Sequence, residues 1–283
     1  PRIRSARARL AGRVVVTPCR ESPKLCALTG GVVVLKLENV QRTGSFKERG
    51  ACNKLLTLSD DEKRHGVVAA SAGNHAQAVA YHAGRLGIRA TVVMPVIAPL
   101  VKVSAARDFG ARVVLHGQNY DDAAAHAQTI ARTENATLIH PFEDLEIIAG
   151  QGTIGLELLE QEPDLEAIVV PVGGGGLISG MAIAAKALDP EIEVLGVESK
   201  LWSAVHQNLA GVPVSVGGDI SDTRRQYDEY TEKRRGGDAR VGRPFPGAQA
   251  SRQGGAAAAG SDVNVTRAQA CDQHGCTAQK DRL

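Results

Sequence analysis

Thr43-Gly44-Ser45-Phe46-Lys47-Glu48-Arg49-Gly50 sets a single lysine between a glycine-containing loop and the start of a predicted helix. A lysine ahead of a helix is most often a solvated surface residue, and this stretch alone favours that reading. Its company changes the balance. Ser71-Ala72-Gly73-Asn74-His75 and Gly173-Gly174-Gly175-Gly176-Leu177 each follow an apolar run that reads as a buried strand, and each opens a predicted helix. Helix N-termini present backbone N–H groups without intrahelical partners, and such groups hold anions. One reactive amine with two separate anion cradles points to an aldehyde cofactor carrying a phosphate, and to a substrate carrying a carboxylate.

Working outward, strand and helix alternate from Gly66 onward. Strands are predicted at Val67–Ala70, Thr91–Met94, Val113–Leu115, Thr137–Ile139, Ala167–Pro171 and Val194–Val197, each separated from the next by one helix. Single-helix connections imply parallel pairing, with helices on both faces of the sheet, and so an α/β fold. Ligands in such sheets collect at the carboxyl ends of strands, where both glycine-containing turns sit. Upstream, the continuous apolar run Val32–Leu35 predicts a strand buried on both faces. Ser22-Pro23 predicts a helix start with a capping serine, and Gly30-Gly31 its end. Arg2, Arg4, Arg7, Arg9 and Arg13 around Ile3, Ala6 and Leu10 predict a surface helix with its apolar side on the core, rather than a transit peptide.

The run from Leu35 to Ala51, together with the Ser-Ala-Gly-Asn-His turn and the four glycines, resembles the pyridoxal-phosphate threonine/serine dehydratases, within the tryptophan-synthase-β-like enzymes. The resemblance extends from about Ile3 to Pro213 and stops beyond about Gly218. It implies two domains built on open parallel sheets: a large cofactor-binding domain from 1–66 and 145–216, and a small domain, 67–144, inserted between its parts. The active site would lie in the cleft between them.

The resemblance also implies roles. Lys47 would carry the cofactor covalently and later take the substrate's Cα proton. Phe46 would pack against the cofactor ring, although a core aromatic is an equally good reading. Asn74 would hydrogen-bond its phenolic oxygen, and Gly173, Gly174, Gly175, Gly176 and Leu177 would hold the phosphate of pyridoxal 5'-phosphate. Backbone groups of Ser71, Ala72, Gly73, Asn74 and His75 would hold the substrate carboxylate. His75 invites a general-base role, but a histidine at a helix start is more often structural. The glycine run has neither the Gly-x-Gly-x-x-Gly spacing nor the Gly-Lys-Ser/Thr ending of nucleotide loops.

The activity implied is deamination of L-threonine to 2-oxobutanoate, and of L-serine to pyruvate. A serine racemase-like enzyme is the nearest alternative, although it needs a second acid/base where this chain has Ala72. Cysteine-synthase-like enzymes usually follow the asparagine with threonine and glycine, where His75 and Ala76 stand here. A truncated homologue that binds the cofactor weakly or not at all is the reading from outside enzymology.

Bulk properties narrow the partners. Net charge is +2, which gives no field for nucleic acid or an acidic membrane, and no apolar run approaches the roughly 20 residues that span a bilayer. The resemblance implies a small amino-acid substrate and, if the fold is complete, a homo-oligomer. Cys19, Cys26, Cys52, Cys271 and Cys276 are odd in number and irregularly spaced, which favours a reducing, cytoplasmic setting over a disulfide framework. Cys271, His274 and Cys276 fit no common zinc pattern. Relatives of the racemase type place a cation ligand at Glu198, but Trp202 and Ala204 occupy the next ligand positions, so no metal is predicted and Glu198 reads as a surface glutamate. Residues 217–283 hold few apolar side chains. They are expected to be disordered, as an out-of-frame or degraded extension of a truncated enzyme.

Overall fold

The computed structural model describes residues 1–199, 204–209 and 263–267. Its helices are α1 (Arg2–Leu10), α2 (Pro23–Thr29), α3 (Lys47–Thr57), α4 (Asp60–His65), α5 (Asn74–Arg85), α6 (Leu100–Asp108), α7 (Tyr120–Thr133), α8 (Leu145–Gln161), α9 (Gly176–Lys186) and α10 (Ala204–Leu209). Its strands are β1 (Cys19–Glu21), β2 (Val34–Lys36), β3 (Val67–Ala70), β4 (Ala90–Met94), β5 (Arg112–Leu115), β6 (Thr137–Leu138), β7 (Ala167–Pro171), β8 (Glu193–Ser199) and β9 (Val263–Arg267). Among the described residues, no helix is long and apolar enough to cross a membrane.

Strands β3 to β6 form one parallel sheet in the order β5-β4-β3-β6. Alternate side chains point to opposite faces of a strand, so its strands divide between two cores. Val67, Ala69, Val92 and Met94 pack with Ala51 and Leu55 of α3, Ala76 to Ala83 of α5 and Val103 of α6. Val68, Ala70 and Val93 pack with Ala123, Ala127 and Ala131, a one-residue-in-four stripe on α7. A second sheet pairs β7 with β8 in parallel and β8 with β9 antiparallel.

Helix α8 lies against both α3 and α9. The approach to α3 is so close that a Cβ on Gly150 would stand 2.6 Å from the carbonyl oxygen of Arg49. That contact seats the helix that begins at Lys47. A buried charge network holds its other side. Arg49, fully buried, donates to Glu38 at 2.7 and 2.8 Å and to Glu157 at 2.6 and 2.7 Å. Lys36 Nζ donates to Glu157 at 2.9 Å, and Thr17 Oγ1 to Glu38 at 2.6 Å. Burial works against the Arg49 charge, but its bonds to the two carboxylates more than offset this and keep the guanidinium protonated.

Several expectations need correction. Val32–Leu35 is not a strand buried on both faces: β2 pairs antiparallel with β1 in a two-stranded ribbon, and Val32 and Leu35 are 80% and 42% exposed. The apolar run cannot by itself reveal that no second layer covers it. Ser22 occupies the position before α2, but its side chain accepts no capping bond. Glu198 is not a surface residue: it is buried, and its carboxylate accepts from the backbone N–H groups of Val205 and His206 at 3.1 and 2.7 Å. A carboxylate on the bare N–H groups that open α10 accounts for its burial. The disorder expected of the tail fails at 263–267, where Val263–Arg267 adds a strand to the edge of β8 and satisfies backbone groups there. The readings made of Trp202, of 217–262 and of Cys271, His274 and Cys276 lie outside the described residues.

Candidate active site

Lys47 is the first residue of α3, directly after a loop held at both ends. Within that loop Gly44 turns the chain at φ +75°, and the N–H of Thr43 donates to the carboxylate of Glu48. The amine of Lys47 donates to the carbonyl oxygen of Pro141 at 2.8 Å and stands 5.3 Å from the centre of the Phe46 ring. Desolvation lowers its pKa from 10.5 to about 8. A substantial share of this amine is therefore neutral, and nucleophilic, at mildly basic pH.

The turn from Ser71 to His75 follows β3. Ser71 Oγ accepts from the Gly73 N–H at 3.1 Å, which curls the chain into α5. Helix α5 opens with Asn74, whose side chain is exposed, and carries no acidic residue in its first turn. His75 is buried, and its Nε2 lies 3.0 Å from the carbonyl oxygen of Ile139. A carbonyl only accepts, so Nε2 carries the hydrogen. Burial lowers the His75 pKa to about 4, so the ring stays neutral and its donor is already committed. The geometry gives His75 a structural part.

The glycine loop follows β7. Gly175 adopts φ +83°, a left-handed conformation that favours glycine, and Gly176 begins α9, again with no acidic residue in the first turn. Gly173 has open space where a side chain would stand. Gly174 and Gly176 do not: a Cβ at either would collide with Phe142. A glycine-rich turn from strand to helix can serve anion approach or tight packing, and here the Phe142 ring fills the space at Gly174 and the Phe142 backbone that at Gly176.

Phe142 belongs to a connection that sequence reasoning passed over. Between β6 and α8, residues 139–143 touch all three motifs: Ile139 receives His75, Pro141 receives Lys47, and Phe142 covers Gly174 and Gly176. His140 Nδ1 accepts from the N–H groups of Phe142 and Glu143 at 3.3 and 2.9 Å, and Asp144 caps α8 at 2.7 Å. The visible signal was a His-Pro-Phe run between two elements in a chain with only four phenylalanines. A Gly174→Ala substitution should therefore cost about 1 to 3 kcal/mol by overpacking. Thermal denaturation would read that loss, and adding Phe142→Ala should recover part of it.

The donor set fits a phosphorylated aldehyde: one amine that can be neutral, and two helix N-termini free of acidic side chains. The pattern of the family described as "Pyridoxal-phosphate dependent enzyme" matches residues 10–234. This chain belongs to that family. It is 52% identical over 198 residues to the L-threonine ammonia-lyase of Thermotoga maritima, covering 70% of this chain and 49% of that protein. It is 51% identical over 220 residues to the catabolic L-threonine dehydratase TdcB of Escherichia coli, covering 77% and 65%. The chain thus spans from about half to just under two thirds of the length of these curated relatives. Among solved structures, the T.th. threonine deaminase superposes with a TM-score of 0.71 at 43% identity, covering 77% of this chain and 70% of that one. Maize serine racemase superposes with a TM-score of 0.73 at 40% identity, covering 76% and 65%.

Proposed function

We propose that the chain is a pyridoxal-phosphate-dependent ammonia-lyase that deaminates L-threonine, and L-serine, to 2-oxobutanoate, or pyruvate, and ammonia. The observation that carries this is the desolvated Lys47 amine at the head of α3, joined through residues 139–142 to the openings of α5 and α9. The names of the relatives at 51–52% identity supply the substrate class. In this reading Lys47 Nζ binds the cofactor and then accepts the Cα proton. The free N–H groups that open α5, with Ser71 to His75, orient the substrate carboxylate, and Asn74 stands ready to bond the cofactor's phenolic oxygen. The opening of α9, from Gly173 to Leu177, holds the phosphate, and Phe46 packs beside the ring. When bound, pyridoxal phosphate supplies a conjugated ring that takes up the electron pair left by that proton, so the β-hydroxyl can leave. Ala72 offers no second acid/base group, which favours elimination over the racemisation of the maize relative.

The test is an assay of 2-oxobutanoate from threonine beside chiral analysis of serine. Racemised serine with no keto acid would replace the lyase reading. The pH response follows from Lys47. Its folded pKa is depressed, so the folded state holds fewer protons than the unfolded state between about 8 and the ordinary value of 10.5. The penalty for burying its charge is present below about 8 and is relieved as pH rises through that window. Borohydride-trapped cofactor attachment should accordingly speed up to a plateau above about pH 8, and a plateau near pH 10.5 would show an ordinary solvated lysine.

The same reading takes 67–144 as a small domain inserted in a larger one, a homo-oligomer as the working form, and the cytoplasm as its location. Leu145, Ile183 and Leu188 are 62%, 55% and 46% exposed on α8, on α9 and just beyond it, which suits self-association. Light scattering that gave only a monomer mass would remove that part. The free thiols of Cys19, Cys26 and Cys52 suit a reducing compartment, and cell fractionation would check it.

A further inference from the structure

Among the described residues, four buried side-chain polar atoms have no hydrogen-bond partner: Thr43 Oγ1, Ser45 Oγ, Glu48 Oε2 and His82 Nε2. All four belong to the loop before Lys47, the first turn of α3, or α5. Buried polar atoms are rarely left unpaired, and where they cluster they call for an explanation. Glu48 is fully buried and His82 is 3% exposed. One carboxylate oxygen of Glu48 accepts from the Thr43 N–H, and the other lies 3.4 Å from His82 Nε2.

The spacing Ser45-Phe46-Lys47-Glu48 is that of a capping box, in which the serine would accept from the helix and the glutamate would return to the serine's N–H. Neither bond forms. No side chain caps α3, and Glu48 reaches past Ser45 to Thr43. The carboxylate is thereby diverted from capping the helix to closing the loop that presents Lys47. Burial alone would raise the Glu48 pKa, but His82 and the Thr43 N–H outweigh it and hold the carboxylate ionised. His82 lies two turns along α5 from Asn74 and His75. The pair thus joins the helix headed by the lysine to the helix headed by the Ser71–His75 turn. Its neighbours on α3, Ala51 and Leu55, are apolar. Simple packing at this position would not call for two ionisable groups.

We infer that Glu48 and His82 are positioning residues for Lys47: the carboxylate closes the Thr43–Lys47 loop, and the imidazole anchors that carboxylate to α5. This rests on the reading of Lys47 as the cofactor's lysine. The test uses the full chain and pyridoxal phosphate itself, and reads equilibrium affinity, the visible band of the bound cofactor and the rate of borohydride-stable attachment. Glu48→Gln and His82→Gln should each weaken affinity and slow attachment roughly tenfold, with the double variant no worse than the poorer single. Leu55→Ala, a buried change on α3 away from the loop, should lower the melting temperature while affinity stays within about twofold of wild type. Should Glu48→Gln fail to fold, His82→Gln asks the same question from α5. Variants that bind and attach like wild type, or a Leu55→Ala protein that loses affinity in step with its melting temperature, would overturn the inference. Attachment that survives Lys47→Ala in the otherwise unaltered chain would instead remove the reading of Lys47 itself.

Discussion

Lys47→Ala is expected to abolish borohydride-stable attachment of pyridoxal phosphate and to lower ammonia-lyase turnover by roughly 10³-fold or more. The size follows from the number of tasks placed on one atom. In the proposed reading the same Nζ binds the cofactor and takes the Cα proton, so its loss removes two steps together. The fold should tolerate the change, because the amine makes one hydrogen bond, to Pro141, and none to the buried network around Arg49. Charging this amine is also disfavoured by its surroundings, so removing it should not destabilise the chain below pH 8. Mass spectrometry after borohydride, beside an absorbance titration and a melting curve, separates these effects. Attachment at another lysine in the variant would sink the assignment.

The second large effect is on stability. Arg49→Met should cost about 3 to 5 kcal/mol, because it takes the guanidinium from the part-buried Glu38 and leaves the buried Glu157 with Lys36 alone. Glu38 sits in the short 3₁₀ turn Glu38–Val40 ahead of the Lys47 loop, and Glu157 sits on α8. The arginine therefore ties the loop to the helix that seats α3. Urea denaturation monitored by circular dichroism would measure the loss. A midpoint unchanged from wild type would show that the network contributes nothing net. Replacing Arg49, Glu38, Glu157 and Lys36 together by apolar residues should cost less than the single change, since no unpaired charge then remains.

Much of this architecture was legible from residue order alone. The strands at Val67–Ala70 and Ala167–Pro171 fall where their apolar runs predicted, because fully or half-buried strands need continuous or alternating Val, Ile and Ala. Helix α5 begins one residue past Gly73 and α9 at Gly176, at the two turns read as openings. The failures share one cause. Val32–Leu35 is as apolar as a central strand, yet its environment is a two-stranded ribbon, and hydropathy does not report the layer that is or is not opposite. Glu198 carries a charge and so reads as exposed, but its burial depends on where the N–H groups of α10 happen to come. Strand β9 depends on an edge of β8 more than sixty residues away in the chain.

The sequence by itself determined the class of fold, the lysine, and the two helix openings suited to anions. Each of these rests on local physics: periodicity, glycine, and the bare N–H groups of a helix end. Tertiary structure alone decided what those parts face. Only the folded chain brings Ile139, Pro141 and Phe142 against His75, Lys47 and the glycine loop, desolvates the amine until its pKa falls to about 8, and turns Glu48 from its own helix toward Thr43 and His82. Contacts between residues ninety positions apart leave no periodic trace in the chain, because they are set by the packing of whole elements rather than by the preferences of neighbouring residues.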